Sequence, residues 1–99
     1  MNTKYGNVSD IIYEKYKTRL INSIYKILPM KEEEVKTLNV YIESLVYELI
    51  GLEKVIIQNS KDGGEIMMII STLENLINEE DIKVVKREVF RMIEMIKRM

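Results

Sequence analysis

Apolar side chains recur along this 99-residue chain at steps of three and four. Between Ser9 and Leu28 they fall at Tyr13, Tyr16, Leu20, Ile24 and Ile27, the spacing of one helical face. Ser9 or Asn7 is placed to cap that helix. Pro29 should end it, because proline lacks an amide proton and restricts the residue before it. The clearest pattern follows: Val35, Leu38, Ile42, Leu45, Leu49, Leu52 and Ile56 alternate steps of three and four through three heptads. It predicts a second helix over 31–58, roughly 42 Å long against about 30 Å for the first. Glu32, Glu33 and Glu34 would occupy its first turn, where the helix dipole favours negative charge. A connection confined to 29–31 makes the two helices antiparallel neighbours.

Asn59, Ser60, Lys61, Asp62, Gly63 and Gly64 read as a loop. Asp62 and Glu65 then form a capping-box variant opening a third helix, with its core face at Ile66, Ile69, Ile70, Leu73, Leu76 and Ile77. Asn78 to Asp81 re-caps a fourth helix, or only kinks the third. The last seam is Ile82, Val85, Val89, Met92, Ile96 and Met99. No strand-like alternation exceeds three or four residues. The expected fold is all-α: a four-helix, largely antiparallel bundle with a long second helix, one domain over 9–99 behind a polar lead-in at 1–8.

Composition narrows the chemistry. With 46% apolar and 31% charged residues the chain is too apolar to stay disordered. It has no cysteine and no histidine, so disulfides, zinc–thiolate sites and the commonest general base are excluded. The longest apolar run, Ile66 to Ile70, is far short of a membrane span. Residues 1–10 carry no apolar signal-peptide core, which makes the cytoplasm the expected location. The absence of alanine means that helix contacts are built from large side chains, with Gly, Ser or Thr wherever backbones approach.

Three consecutive glutamates on a helix point in different directions and do not converge on an ion. The Asp62-Gly63-Gly64 run has no preceding strand and no following Gly-Lys-Ser/Thr, so it is not a phosphate loop. No catalytic, metal or cofactor residue is expected, and the chain reads as a non-enzyme.

Charge is uneven. Residues 1–31 carry six basic and two acidic groups, residues 32–81 three and twelve, and residues 82–99 six and two, for a total of −1. Basic outer helices beside acidic inner ones would match charge across the bundle. On the last helix Lys83, Lys86, Arg87, Arg91, Lys97 and Arg98 project into one arc of about 140°, interrupted only by Phe90 and Glu94. Such a face could rest on phosphates while Phe90 stacks on a base, although a pI of 5.6 gives a polyanion nothing else to approach.

Two further features point to protein recognition. Thr37, Ser44 and Gly51 repeat every seven residues off the main seam of the second helix, flanked by Val40 and Tyr47. A helical glycine costs about 1 kcal/mol relative to alanine, which close approach of another helix could offset; a tolerated kink is the competing reading. Met92, Met95 and Met99 gather near the C-terminus, with Met67 and Met68 on the third helix; methionine suits adaptable interfaces and cores alike. The candidate partner interface is therefore Ser44, Tyr47, Gly51, Met92, Met95 and Met99. The overhang of the second helix would leave Leu49, Leu52, Val55, Ile56 and Ile57 in need of cover, which predicts a homodimer.

Three stretches, Ile24 to Pro29, Tyr41 to Leu52 and Lys86 to Phe90, resemble small uncharacterised helical proteins of low-GC Gram-positive bacteria and their phages or mobile elements. The resemblance implies an accessory interaction protein and carries no activity or site residue. The expected function is binding of a protein partner through a helical surface; the alternatives are nucleic-acid regulation by the last helix and a phage structural adaptor.

Overall fold

A computed structural model describes residues 2–3, 6–7, 9–55 and 61–99. Five helices follow one another: α1 (Asp10–Tyr25), α2 (Ile27–Glu32), α3 (Leu38–Val55), α4 (Lys61–Leu76) and α5 (Ile82–Arg98). The four long ones form an all-α, antiparallel bundle of 41 × 21 × 20 Å. Its core is the heptad seams themselves. Leu20 and Ile24, Ile42, Leu45 and Leu49, Ile66, Ile69 and Leu73, and Val85, Val89, Met92 and Ile96 are all buried in one cluster. No described helix is long and apolar enough to cross a membrane.

Ser9 caps α1, its hydroxyl accepting from the Ile12 amide at 3.3 Å. Ahead of it the lead-in is more than polar chain: Asn2–Thr3 (β1) pairs antiparallel with Gly6–Asn7 (β2). Gly6 has φ +124°, open to glycine and rarely to other residues.

The first break falls at Lys26 rather than at proline. Pro29 is the third residue of α2, within the first turn, where amides lack helical acceptors and proline is tolerated. Helix α2 then runs to Glu32 and closes on a left-handed cap. Glu34 takes φ +54°, the Val35 amide donates to the Met30 carbonyl at 3.0 Å, and the Glu34 amide donates to Lys31 at 3.2 Å. The three glutamates therefore end a helix instead of opening one, and the next helix starts at Leu38, not 31. Val35 satisfies the heptad spacing but lies in the turn. Over its 18 described residues α3 is about 27 Å long and close to the 16-residue α1, so among the described residues there is no overhang. Ile56, Ile57, Asn59 and Ser60 lie outside the described residues.

The second surprise is α4, which already includes Lys61, Asp62, Gly63 and Gly64. Asp62 is no cap; its carboxylate accepts from the buried Tyr13 hydroxyl at 2.9 Å. That bond and the Arg98–Glu65 ion pair at 3.8 Å hold the glycine-bearing turn against α1 and α5, and tertiary contact overrides propensity there. The 77–81 junction is a true turn. Asn78 has φ +67°, and Asp81 caps α5 by accepting from the Lys83 amide at 2.9 Å. Asn78 and Asn39 clasp: the Asn39 amide nitrogen donates to Asn78 Oδ1 at 2.7 Å, and the Asn78 backbone amide returns a bond to Asn39 Oδ1 at 3.2 Å.

Charge matching holds across two helix pairs. Arg19 of α1 meets Glu48 of α3, and Arg98 of α5 meets Glu65 of α4. The two basic helices α1 and α5 also pack on each other, through apolar seams and an edge-to-face contact of Tyr25 with Phe90 at 6.4 Å.

Candidate interaction surfaces

The outer side of α3 is the first candidate. Its inward face is spent on Ile42, Leu45, Val46 and Leu49. Opposite, Val40 is 63% and Tyr47 74% exposed, with Ser44 and Gly51 exposed beside them. The Ser44 hydroxyl donates to the Val40 carbonyl at 3.0 Å and so lies flat on its own helix. A Cβ added at Gly51 would meet nothing within 4 Å among the described residues. Among the described residues no neighbouring helix occupies the space that glycine leaves, so close packing between them does not account for it.

The methionine half of the predicted interface is not surface. Met92 and Met95 are buried in the core and Met99 is packed partly against it. Met92 is simply the next step of the α5 seam, and Met95, beside that seam, is buried in the same cluster. Met67 and Met68 on α4 are the exposed pair. Ser44, Tyr47 and Gly51 thus stay together on α3, and the methionines leave the set.

The second candidate is the outer side of α5. Lys83, Lys86, Arg87, Phe90, Arg91, Lys97 and Arg98 are all exposed, as the 140° arc requires. Phe90 is 44% and Tyr25 51% exposed, so the aromatic pair presents an edge to solvent. Much of the charge is already answered. Glu88 pairs with Arg87 at 3.3 Å and Arg91 at 3.0 Å, Glu94 with Lys97 at 3.6 Å, and Glu65 with Arg98. Arg91 also donates to the hydroxyl of buried Thr72 at 3.0 Å. Among the described residues Lys83 and Lys86 have no ion pair.

Sequence periodicity missed Lys17, buried on α1, where its ammonium sits 5.4 Å from the Tyr13 ring centre and 3.2 Å from Glu14. Nothing in a 3.6-residue pattern marks a lysine that lies along the core edge. Burial and the neighbouring Asp62 carboxylate push the Tyr13 phenol far above its usual value; burial raises Tyr16 and Tyr41 as well. The Tyr41 hydroxyl donates to the Ser23 carbonyl at 2.5 Å. The Tyr13 and Tyr41 phenols tie helices together and are held neutral, which makes them braces and poor proton carriers.

Among the described residues no group of three carboxylates is placed to hold a metal. Comparisons with protein families, with curated proteins and with solved structures found no match to this chain.

Proposed function

We propose that this chain works by helix-to-helix association, as a small accessory interaction protein, and that the outer face of α3 is the surface it uses. A second copy of the same face is the occupant best suited to it. The observation that carries the reading is Gly51, a mid-helix glycine with open space before it, beside an exposed Tyr47 and Val40. Glycine there costs about 1 kcal/mol against alanine within the monomer. A backbone arriving from outside is what would recover that cost, and a twofold pairing would place Tyr47 of each copy over the small residues of the other.

Sedimentation equilibrium at tens of micromolar tests it. Twice the chain mass of 11.7 kDa is expected, with Tyr47→Glu returning the protein to a monomer of unchanged helicity. A wild-type mass of one chain overturns the reading.

A second reading rests on a different observation: all six cations and Phe90 share one exposed face of α5. On this reading the face binds single-stranded nucleic acid, Phe90 and Tyr25 offering a stacking edge. Lys83→Glu with Lys86→Glu, the two cations without carboxylate partners, would abolish binding and flatten its salt dependence. Retention of full binding would sink it.

A further inference from the structure

At the pole where α2 ends, α3 begins and α4 turns into α5, the surface opens into a groove of about 680 Å³, within the range of ordinary ligand sites. Its floor is apolar, with partly exposed Val35, Leu38 and Ile82 lying over buried Ile27, Ile42 and Val85. Its rim is acidic: Glu32, Glu34, Glu79 and Glu80 against only Lys31 and Lys36. Lys31 ties the two sides of the groove together, its ammonium donating to the Glu79 backbone carbonyl at 2.6 Å. None of the four carboxylates has an ion pair within 4 Å among the described residues, although the chain carries fifteen Lys and Arg in all.

Local structure accounts for only part of this negative charge. Glu32 is the last residue of α2 and Glu34 belongs to its cap, at the helix end where the dipole disfavours negative charge. Glu79 and Glu80 lie between α4 and the N-terminus of α5, where Glu79 Oε1 accepts from the Asp81 amide at 3.2 Å. Four carboxylates without an ion pair, two of them at a helix end that disfavours negative charge, thus surround an apolar floor. The Asn39–Asn78 clasp braces one wall, so the groove is largely pre-formed.

We infer that this groove is a docking site for a basic amphipathic segment of a partner protein, a bulky apolar side chain seated on Leu38 and Ile82 with flanking Lys or Arg against the carboxylate rim. The site lies apart from the outer face of α3 and does not depend on that reading. A positive segment relieves mutual repulsion among the four glutamates and breaks no ion pair of the described residues to do so.

Fluorescence anisotropy of a short labelled Leu/Lys amphipathic peptide on the full chain is the test, with a Ser/Lys peptide of equal charge as comparison. The Leu/Lys probe is expected to bind at least about tenfold more tightly than the Ser/Lys one, a difference of about 1.4 kcal/mol. Glu34→Lys with Glu80→Lys should weaken it about tenfold or more, and Ile82→Ser severalfold. Glu43→Lys with Glu74→Lys, exposed charges away from the groove, should change it less than about twofold. Equal binding of both peptides, or indifference to the Glu34 and Glu80 reversals, overturns the proposal. Loss of probe binding in Tyr47→Glu alone would also overturn it, by moving the peptide to α3, while leaving the α3 reading intact.

Discussion

Helices α3 and α5 are similar in length and both bury a heptad seam, yet their outer faces are finished in opposite ways. On α5 every exposed position from Lys83 to Arg98 is charged except the Phe90 that edges Tyr25, and most of its cations find carboxylates on α5 or α4. On α3 the exposed side carries Val40, Ser44, Tyr47 and Gly51, with charge only at its edge in Glu43 and Lys54. The first helix is complete as part of a monomer. The second is complete toward the core alone, and that asymmetry is why association is assigned to α3.

The comparison can be broken most forcefully from the inside. Leu49→Ala on α3 and Ile96→Ala on α5 both empty fully buried positions and should each cost about 2–5 kcal/mol by urea denaturation. A much smaller loss on one helix would mean that its inner face is not the dry seam described. On the outer faces the two helices should diverge. Gly51→Ala meets no internal contact and should stabilise the isolated chain by about 1 kcal/mol while weakening self-association. A change in stability without a change in mass would separate helix propensity from docking. Glu34→Gly removes a side chain from a left-handed position and should raise the denaturation midpoint by the equivalent of about 1 kcal/mol.

Alkaline titration gives a subtler test. Tyr13, Tyr16 and Tyr41 have folded pKa values above the ordinary tyrosine value, chiefly through burial, so the unfolded chain loses these protons first. Their contribution is therefore full below about pH 10 and declines as pH climbs past it. Tyr13→Phe should flatten that decline, read as stability against pH between 9 and 11. The smallest effect expected is that of Glu88→Gln on α5. It weakens the pairs to the exposed Arg87 and Arg91 and should shift stability by about 1 kcal/mol or less.

The interior was legible because the seam positions obey one periodicity throughout, and Leu20, Ile42, Leu73 and Val89 are buried where their spacing puts them. Met92 shows the limit of reading residue type: methionine fits an interface and a core equally, and position on the wheel was the better guide. The start of α3 was illegible for another reason. Val35 keeps the heptad rhythm across a chain reversal, and the reversal turns on Glu34 and Asn78 in left-handed conformations where a glycine would have announced it. Gly63 and Gly64 misled in the other direction, since their turn is held helical by Asp62 and Glu65 reaching to distant Tyr13 and Arg98.

Sequence by itself determined the helical class, most of the heptad seam that forms the core and the basic arc of α5, because each depends only on spacing along one helix. The tertiary structure alone decided where the glutamates sit, that Met95 beside the predicted seam is buried, and that the ends of α2, α3, α4 and α5 enclose a groove. Those outcomes depend on how separate helices end and meet, and the free energy deciding them belongs to contacts between residues far apart in the chain.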